Sequence, residues 1–162
     1  MNIFLDMDDV VADWMAHAKN VLNMDWEPGE RIPQTDWDKL KNNERFYLEL
    51  PLKTGAIDLV VYCTELTKST GGTLQFLSAL PHDYSMPYAA QDKVWWANRY
   101  FPGVPVFLGP FSHDKWRHCK HPSDILIDDR SSNCNEWISA GGQAHVYRNW
   151  TTCKTWFEGV LK

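Results

Sequence analysis

Short apolar stretches of strand length alternate along the chain with longer stretches whose apolar positions recur about every three to four residues. The strand-like stretches are residues 2–6, 73–78, 104–108, 124–128 and 143–147. The helical stretches are residues 10–22, 55–69, 87–101, 131–140 and 151–161. Short strands that are apolar throughout are typical of a parallel sheet that is buried on both faces. The pattern therefore predicts an α/β fold with an open, parallel, Rossmann-like sheet of about five strands and helices on both faces.

One segment interrupts this alternation. Residues 14–54 separate the first strand from the next regular unit. Most of this segment contains prolines, tryptophans and charged residues, and its apolar positions follow no clear period. An insertion that follows the first strand would lie above the carboxyl edge of the sheet. We therefore expect a single domain over residues 1–162, with a small, mainly helical cap inserted at about 14–54.

Polar residues stand where the predicted strands end. In chain order they are Asp6 with Asp8, Ser78, and Asp128 with Asp129. Lys93 lies in the first turns of the helix that follows the second strand. Because ligands of open parallel sheets bind at the carboxyl ends of the strands, we expect acids, a hydroxyl and a lysine at one edge.

This combination of residue types suits phosphoryl transfer. Several carboxylates in one dry site repel one another, and a bound divalent cation relieves the repulsion. Oxygen ligands favour Mg²⁺, which binds through one or two carboxylates together with phosphate and water. A carboxylate beside such an ion can attack phosphorus and form an aspartyl-phosphate, while a second acid protonates the leaving oxygen and later activates water. A lysine and a hydroxyl would orient the other phosphoryl oxygens.

Charge and composition exclude several classes of partner. The net charge of −5 is unfavourable for a protein that grips a long nucleic acid, which needs a dense basic face. No apolar run approaches the roughly 18 residues of a membrane helix, and the start of the chain lacks the basic segment of a secretory signal. The four cysteines show no CxxC spacing, which favours a reduced, cytoplasmic protein.

Several segments resemble one enzyme family. The stretch FLDMDDVVADW, from Phe4 to Trp14, resembles the first motif of the haloacid dehalogenase (HAD) superfamily, and within it the 5'(3')-deoxyribonucleotidases. FLS at 76–78 resembles the second motif, Lys93 in QDKVWW the third, and ILIDDR at 125–130 the fourth. The resemblance covers most of the chain in the right order, and it implies a sheet whose first strand lies between the second and the fourth.

The resemblance implies a role for each acid. Asp6 would be the nucleophile, and Asp8 would be the general acid and base. Asp6, the backbone carbonyl of Asp8 and an acid of the pair Asp128 and Asp129 would bind Mg²⁺. The implied reaction is hydrolysis of a small phosphate ester, a nucleoside monophosphate, through an aspartyl-phosphate.

The resemblance also implies a phosphate site and a base site. Ser78 and Lys93 would hold the phosphate, and Lys115, in a polar loop before the fourth strand, is the rival for the role of Lys93. Trp14 falls where the family has an aromatic residue beside the base, and Trp37 in the cap is a further candidate.

Three departures and several alternatives stay open. Asp9 stands where the family has glycine, the stretch between the second strand and Lys93 is longer and contains Pro81 and Pro87, and the cap is short. A phosphatase for another small ester or for a nucleic-acid end, and a non-catalytic, receiver-like phosphate- or metal-binding module, are the alternative functions. A zinc site is disfavoured because no ligand spacing supports it in the cluster of His113, His118, Cys119 and His121.

Overall fold

Five short parallel strands form the centre of the structure, a computed structural model that describes residues 1–23, 32–81, 86–109 and 111–161. The strands are β1 (Ile3–Leu5), β2 (Leu74–Ala79), β3 (Val106–Gly109), β4 (Ile125–Asp128) and β5 (Gln143–Val146). They pair in the order β3-β2-β1-β4-β5, and every neighbouring pair is parallel. The predicted α/β fold is confirmed, and β1 lies between β2 and β4 as the resemblance implies.

Helices cover both faces of the sheet. They are α1 (Trp14–Leu22), α2 (Gln34–Lys41), α3 (Ala56–Thr70), α4 (Ala89–Tyr100), a 3₁₀ helix (Ser112–His118), α5 (Ser131–Ser139) and α6 (Trp150–Val160). Successive side chains of a strand point to opposite faces. Ile3 and Leu5 therefore join the larger apolar core with α3, α4 and α6, whereas Phe4 joins a smaller core against Trp137 of α5. Each face of the buried central strand thus requires its own layer of helices.

A tight turn, rather than a helix, follows β1. The backbone N–H groups of residues 10–12 all donate to the carbonyl of Met7. Asp9 takes the left-handed conformation with a φ of 57°, which aspartate tolerates better than most residues. Its carboxylate accepts a hydrogen bond from the backbone N–H of Met15 at 3.1 Å and so caps α1, which begins at Trp14. The predicted earlier start of this helix was wrong, because the turn itself buries the apolar side chains that suggested it.

The chain enters and leaves the insert between β1 and α3 through adjacent segments. Ala12 and Leu52 form an antiparallel bridge, and the ammonium group of Lys53 lies 3.1 Å from the carboxylate of Asp13. Helices α1 and α2 fall within the insert, whereas residues 24–31 of the expected cap lie outside the described residues. These paired connections anchor both ends of the insert above the end of β1.

Two further features concern the chain as a whole. Among the residues that the structure describes, no helix has the length and apolar character that a membrane crossing requires. All four cysteines are free thiols. Burial raises the pKa of Cys134 and Cys153 to about 12, so both thiols stay protonated at neutral pH.

Candidate active site

Three carboxylates meet where β1 and β4 end. Asp6 directly follows β1, Asp128 is the last residue of β4, and Asp129 comes next. The two strands are adjacent and parallel, and the backbone N–H of Asp6 donates to the carbonyl of Ile127 at 2.9 Å. One oxygen from each carboxylate lies within 4.8 Å of the others. The structure thus brings together acids that are more than a hundred residues apart in the chain.

A buried lysine lies among these acids. Lys115 Nζ is 2.9 Å from Asp6 Oδ1 and 2.7 Å from Asp128 Oδ2. Burial alone would lower the pKa of Lys115, but the attraction of both carboxylates outweighs that effect and raises it. The amide of Asn133, in the first turn of α5, donates to both oxygens of Asp128 at 3.0 Å. Asp128 is therefore held in a fixed orientation by a cation and an amide.

A second buried lysine contacts Asp8, the other acid of the first motif. Lys93, in α4, donates from Nζ to Asp8 Oδ2 at 2.6 Å and to Ser78 Oγ at 2.8 Å. Its Nζ also lies 4.5 Å from the centre of the Tyr47 ring. Burial raises the pKa of Asp8, although the positive charge of Lys93 acts in the opposite direction. Both lysines considered from the sequence are thus at the site, but they contact different acids.

The cluster of Asp6, Asp128 and Asp129 has the ligand chemistry of a hard divalent cation. All its donors are carboxylate oxygens, which are the ligands that magnesium prefers. Burial, and then repulsion from Asp6 and Asp128, raises the pKa of Asp129 to about 8. A bound cation would relieve that repulsion and favour the charged carboxylate. The residues present therefore fit a magnesium ion.

A cleft of about 1150 Å³ opens above these acids, and the insert forms part of its wall. Trp14 and Trp37 both line it, with ring centres 5.5 Å apart and planes inclined by 44°. Tyr47 lines it as well. The two tryptophans named from the sequence thus share one wall of the cleft that contains Asp6 and Asp8.

The histidine and cysteine cluster is not arranged as a metal site. His113 is largely exposed and stacks on Phe111 with ring centres 5.3 Å apart. Cys119 Sγ donates instead to the backbone carbonyl of His121 at 3.8 Å. Within the described ranges, the acids at the ends of β1 and β4 are the one group placed to hold a metal ion.

Comparison with known proteins assigns the chain to a family. The family model described as 5' nucleotidase, deoxy (pyrimidine), cytosolic type C protein matches residues 1–149. The chain belongs to this family. It is therefore an enzyme, a phosphatase of the nucleotidase class, as the resemblance of its motifs implies. No curated protein matches the sequence significantly.

Solved structures agree on the fold of this nucleotidase. A hydrolase from Streptococcus pneumoniae is 13% identical, with 97% of each chain covered and a TM-score of 0.58. The HAD hydrolase YfnB from Bacillus subtilis, solved with magnesium, is 13% identical, with 99% and 98% covered and a TM-score of 0.56. A variant of a HAD family enzyme from Bacteroides thetaiotaomicron, solved with magnesium and inorganic phosphate, is 12% identical, with 94% and 97% covered and a TM-score of 0.50. At this identity the likeness concerns the fold, which is that of HAD hydrolases.

Two residues of the site were not singled out from the sequence. Tyr47 lies in the irregular segment before α3, and only its three-dimensional contact with Lys93 reveals its position. Asn133 lies in the first turn of α5, where its only sequence signal is that it follows the Asp128–Asp129 pair closely. Neither residue lies in a sequence pattern that would distinguish it from an ordinary surface residue.

Proposed function

We propose that this nucleotidase hydrolyses nucleoside monophosphates in a magnesium-dependent reaction that passes through an aspartyl-phosphate on Asp6. The observation that carries the proposal is the position of Asp6. Its carboxylate lies within 4.8 Å of two further acids, contacts the buried ammonium of Lys115, and lies on a cleft that Trp14 and Trp37 also line. Family membership supports a nucleotide as the substrate.

The two half-reactions use Asp6 and Asp8 in turn. An oxygen of Asp6 attacks phosphorus, the bond from phosphorus to the sugar oxygen breaks, and Asp8 gives its proton to that oxygen. Water then attacks the phosphorus of the aspartyl-phosphate and gives a proton to Asp8. The bond from phosphorus to Asp6 breaks, which releases inorganic phosphate and restores both carboxyl groups to their starting states.

The metal would be held by the carboxylates of Asp6, Asp128 and Asp129 together with the backbone carbonyl of Asp8. When bound, magnesium offsets the negative charge of these acids and of the phosphoryl oxygens, so that an anionic nucleophile can approach an anionic ester. The all-oxygen donor set supports this assignment. So do HAD hydrolases of the same fold that were solved with magnesium.

Lys115 and Ser78 are the groups that we assign to the phosphate. An ammonium group has three N–H donors, and Lys115 uses two of them on Asp6 and Asp128. The third can reach a phosphoryl oxygen beside the nucleophile. Ser78 accepts a hydrogen bond from Lys93, so its own O–H remains available as a donor. Lys93, the phosphate lysine expected from the sequence, contacts Asp8 instead.

The aromatic wall is the proposed site of the nucleoside. Trp14, Trp37 and Tyr47 offer apolar faces against which a base can stack. The partner is thus a small phosphate ester rather than a long nucleic acid, in keeping with the net charge of −5. The cytosolic type named by the family model and the four free thiols support a cytoplasmic location.

Phosphate release from a panel of 2'-deoxyribonucleoside and ribonucleoside monophosphates tests the proposal. The assay is run with magnesium and with a chelator, and with the variant Asp6→Asn. Magnesium-dependent multiple turnover that is lost in Asp6→Asn is the expected result. Preference for a sugar phosphate or another ester that lacks a base would replace the nucleotide by that substrate. A phosphorylated protein that accumulates without turnover would contradict the enzyme mechanism and favour a receiver-like role.

A further inference from the structure

The ammonium group of Lys93 has no donor left for a substrate. Its Nζ has three N–H groups, and three protein groups surround it: Asp8 Oδ2 at 2.6 Å, Ser78 Oγ at 2.8 Å and the face of the Tyr47 ring at 4.5 Å. The residue is only 1% exposed. The N–H groups of Lys93 that a phosphate would need are therefore all directed at the protein, whereas Lys115 contacts two carboxylates, Asp6 and Asp128.

The two oxygens of Asp8 are in different situations. Oδ2 accepts the short hydrogen bond from Lys93, whereas Oδ1 is buried and has no hydrogen-bond partner among the described residues. An oxygen that accepts a charge-assisted hydrogen bond from an ammonium group is a poor place for a proton, because the proton would compete with the donor for the same lone pairs. The contact with Lys93 therefore determines the orientation of the Asp8 carboxyl group.

We propose that Lys93 is a positioning residue that acts through Asp8: it holds Oδ2 and so fixes the carboxyl group in the orientation from which Asp8 exchanges its proton. The inference rests on the proposed phosphatase reaction and adds to it the residue that orients the general acid and base. In the first half-reaction the proton leaves Asp8 for the sugar oxygen as the phosphorus–oxygen bond breaks. In the second half-reaction a proton of the attacking water returns to Asp8.

Two further contacts hold Lys93 itself in place. The neighbouring residue of α4, Asp92, is fully buried and accepts hydrogen bonds from Arg45 Nε at 3.0 Å and Nη2 at 2.5 Å. Trp96, one turn further along α4, donates from its indole N–H to the carbonyl of Leu50 at 2.6 Å. Arg45 and Leu50 belong to the segment that contains Tyr47. This segment is therefore bonded to α4 at residues on either side of Lys93. A fixed cation is what a positioning role requires.

Variation of the leaving group separates this role from direct phosphate binding. An alkoxide such as the sugar oxygen of a nucleotide needs a proton as it leaves, whereas p-nitrophenolate is a weak base and needs none. Because general acid catalysis contributes about 10²- to 10⁴-fold, we expect Lys93→Met to lower kcat/KM about 100-fold or more for a nucleoside monophosphate and less than about 5-fold for p-nitrophenyl phosphate. A direct phosphate ligand would instead give the same loss with both esters, since the phosphoryl group is common to them.

A double-mutant cycle with Asp8→Asn gives a second readout. If Lys93 acts only through Asp8, then adding Lys93→Met to Asp8→Asn lowers kcat/KM for the nucleotide little further, because the group that it positions is already gone. Additive losses would overturn the inference. Lys68→Met, at the exposed end of α3, is the matched control, and we expect it to leave kcat/KM unchanged for both esters.

Binding of inorganic phosphate distinguishes failure of this inference from failure of the proposed function. Calorimetry in the presence of magnesium should give the same phosphate affinity for the unaltered protein and for Lys93→Met. A tenfold weaker affinity in the variant would overturn the inference, whether or not any ester is hydrolysed. Absence of turnover by the unaltered protein with both esters would overturn the proposed function, and with it the positioning role. If Lys93→Met does not fold, Lys93→Leu, which likewise cannot donate to Asp8, takes its place with the same leaving-group test.

Discussion

Magnesium binding should release a proton from Asp129. Burial and the neighbouring charges of Asp6 and Asp128 raise the pKa of Asp129 to about 8 in the metal-free protein. Its carboxyl group is therefore mostly protonated at neutral pH, and it must ionise to coordinate a cation. The apparent affinity for magnesium should consequently rise with pH until the pH passes the pKa of Asp129.

The size of the effect follows from that pKa. With a value of about 8, the carboxyl group is about 99% protonated at pH 6 and about 10% protonated at pH 9, so the apparent affinity should increase about 100-fold over this range, or ~2.7 kcal/mol. At pH 7, each bound magnesium ion should release about 0.9 proton from this group. The stability of the metal-free protein changes with pH in the opposite direction to the magnesium affinity. Because the folded-state pKa lies above the unfolded value of 3.8, the contribution of the neutral carboxyl to stability is fully present below pH 3.8 and is lost as the pH rises through about 8.

Isothermal titration with magnesium chloride at several pH values measures both quantities. Repeating each titration in two buffers of different ionisation enthalpy gives the number of protons released. The variant Asp129→Asn should bind magnesium weakly, with a reduced pH dependence, and the metal-free variant should lose less stability than the unaltered protein between pH 6 and pH 8. Asp58→Asn, on the exposed surface of α3, removes the same charge and serves as the control. Equal affinities at pH 6 and pH 8, or no release of protons at pH 7, would refute the reasoning.

Three further outcomes follow from the geometry. Asp6→Asn should abolish turnover while thermal unfolding shows an intact fold, because the attacking oxygen is replaced; residual multiple turnover would contradict the nucleophile assignment. Trp37→Ala should raise KM for nucleotides by about 5- to 150-fold, as expected for the loss of 1–3 kcal/mol of stacking on a base, and should affect p-nitrophenyl phosphate less. Leu126→Ala, which empties a fully buried position in β4, should lower the free energy of unfolding by about 2–5 kcal/mol in urea titrations.

Much of this fold could be predicted because its strands have an unambiguous pattern. The apolar runs of β1 and β4, residues 3–5 and 125–127, are each followed directly by an acid. Strand ends in a parallel sheet share one edge, so these acids could be placed together without knowledge of the packing. The order of the strands does not follow from periodicity, and here it came from the resemblance of the motifs to a family.

Local patterns were insufficient where long-range contacts decide the structure. Lys115 lies in a polar stretch that reads as a solvated loop, yet it is buried because two distant carboxylates compensate its charge. Tyr47 lies in a segment without periodicity, and its role depends on a contact with Lys93 of α4. Asp9 stands where the family has glycine, and it occupies the left-handed position with its carboxylate held by the backbone N–H of Met15. In each case the partner is remote in the chain or is defined by backbone geometry.

The strand order also explains why the two acids of the first motif have separate partners. β1 lies between β4 and β2, so Asp6 meets Lys115 and Asp128 on one side, whereas Asp8 meets Lys93 and Ser78 on the other. Together with Asp129, the site holds four carboxyl groups but only two buried lysines, which leaves an excess of two negative charges when all four are ionised. With its pKa raised to about 8, Asp129 is expected to keep a proton at neutral pH and so to reduce this excess in the metal-free site. One divalent cation in place of that proton would offset this negative charge more strongly, and this is the physical reason to expect magnesium binding and proton release to be a single event.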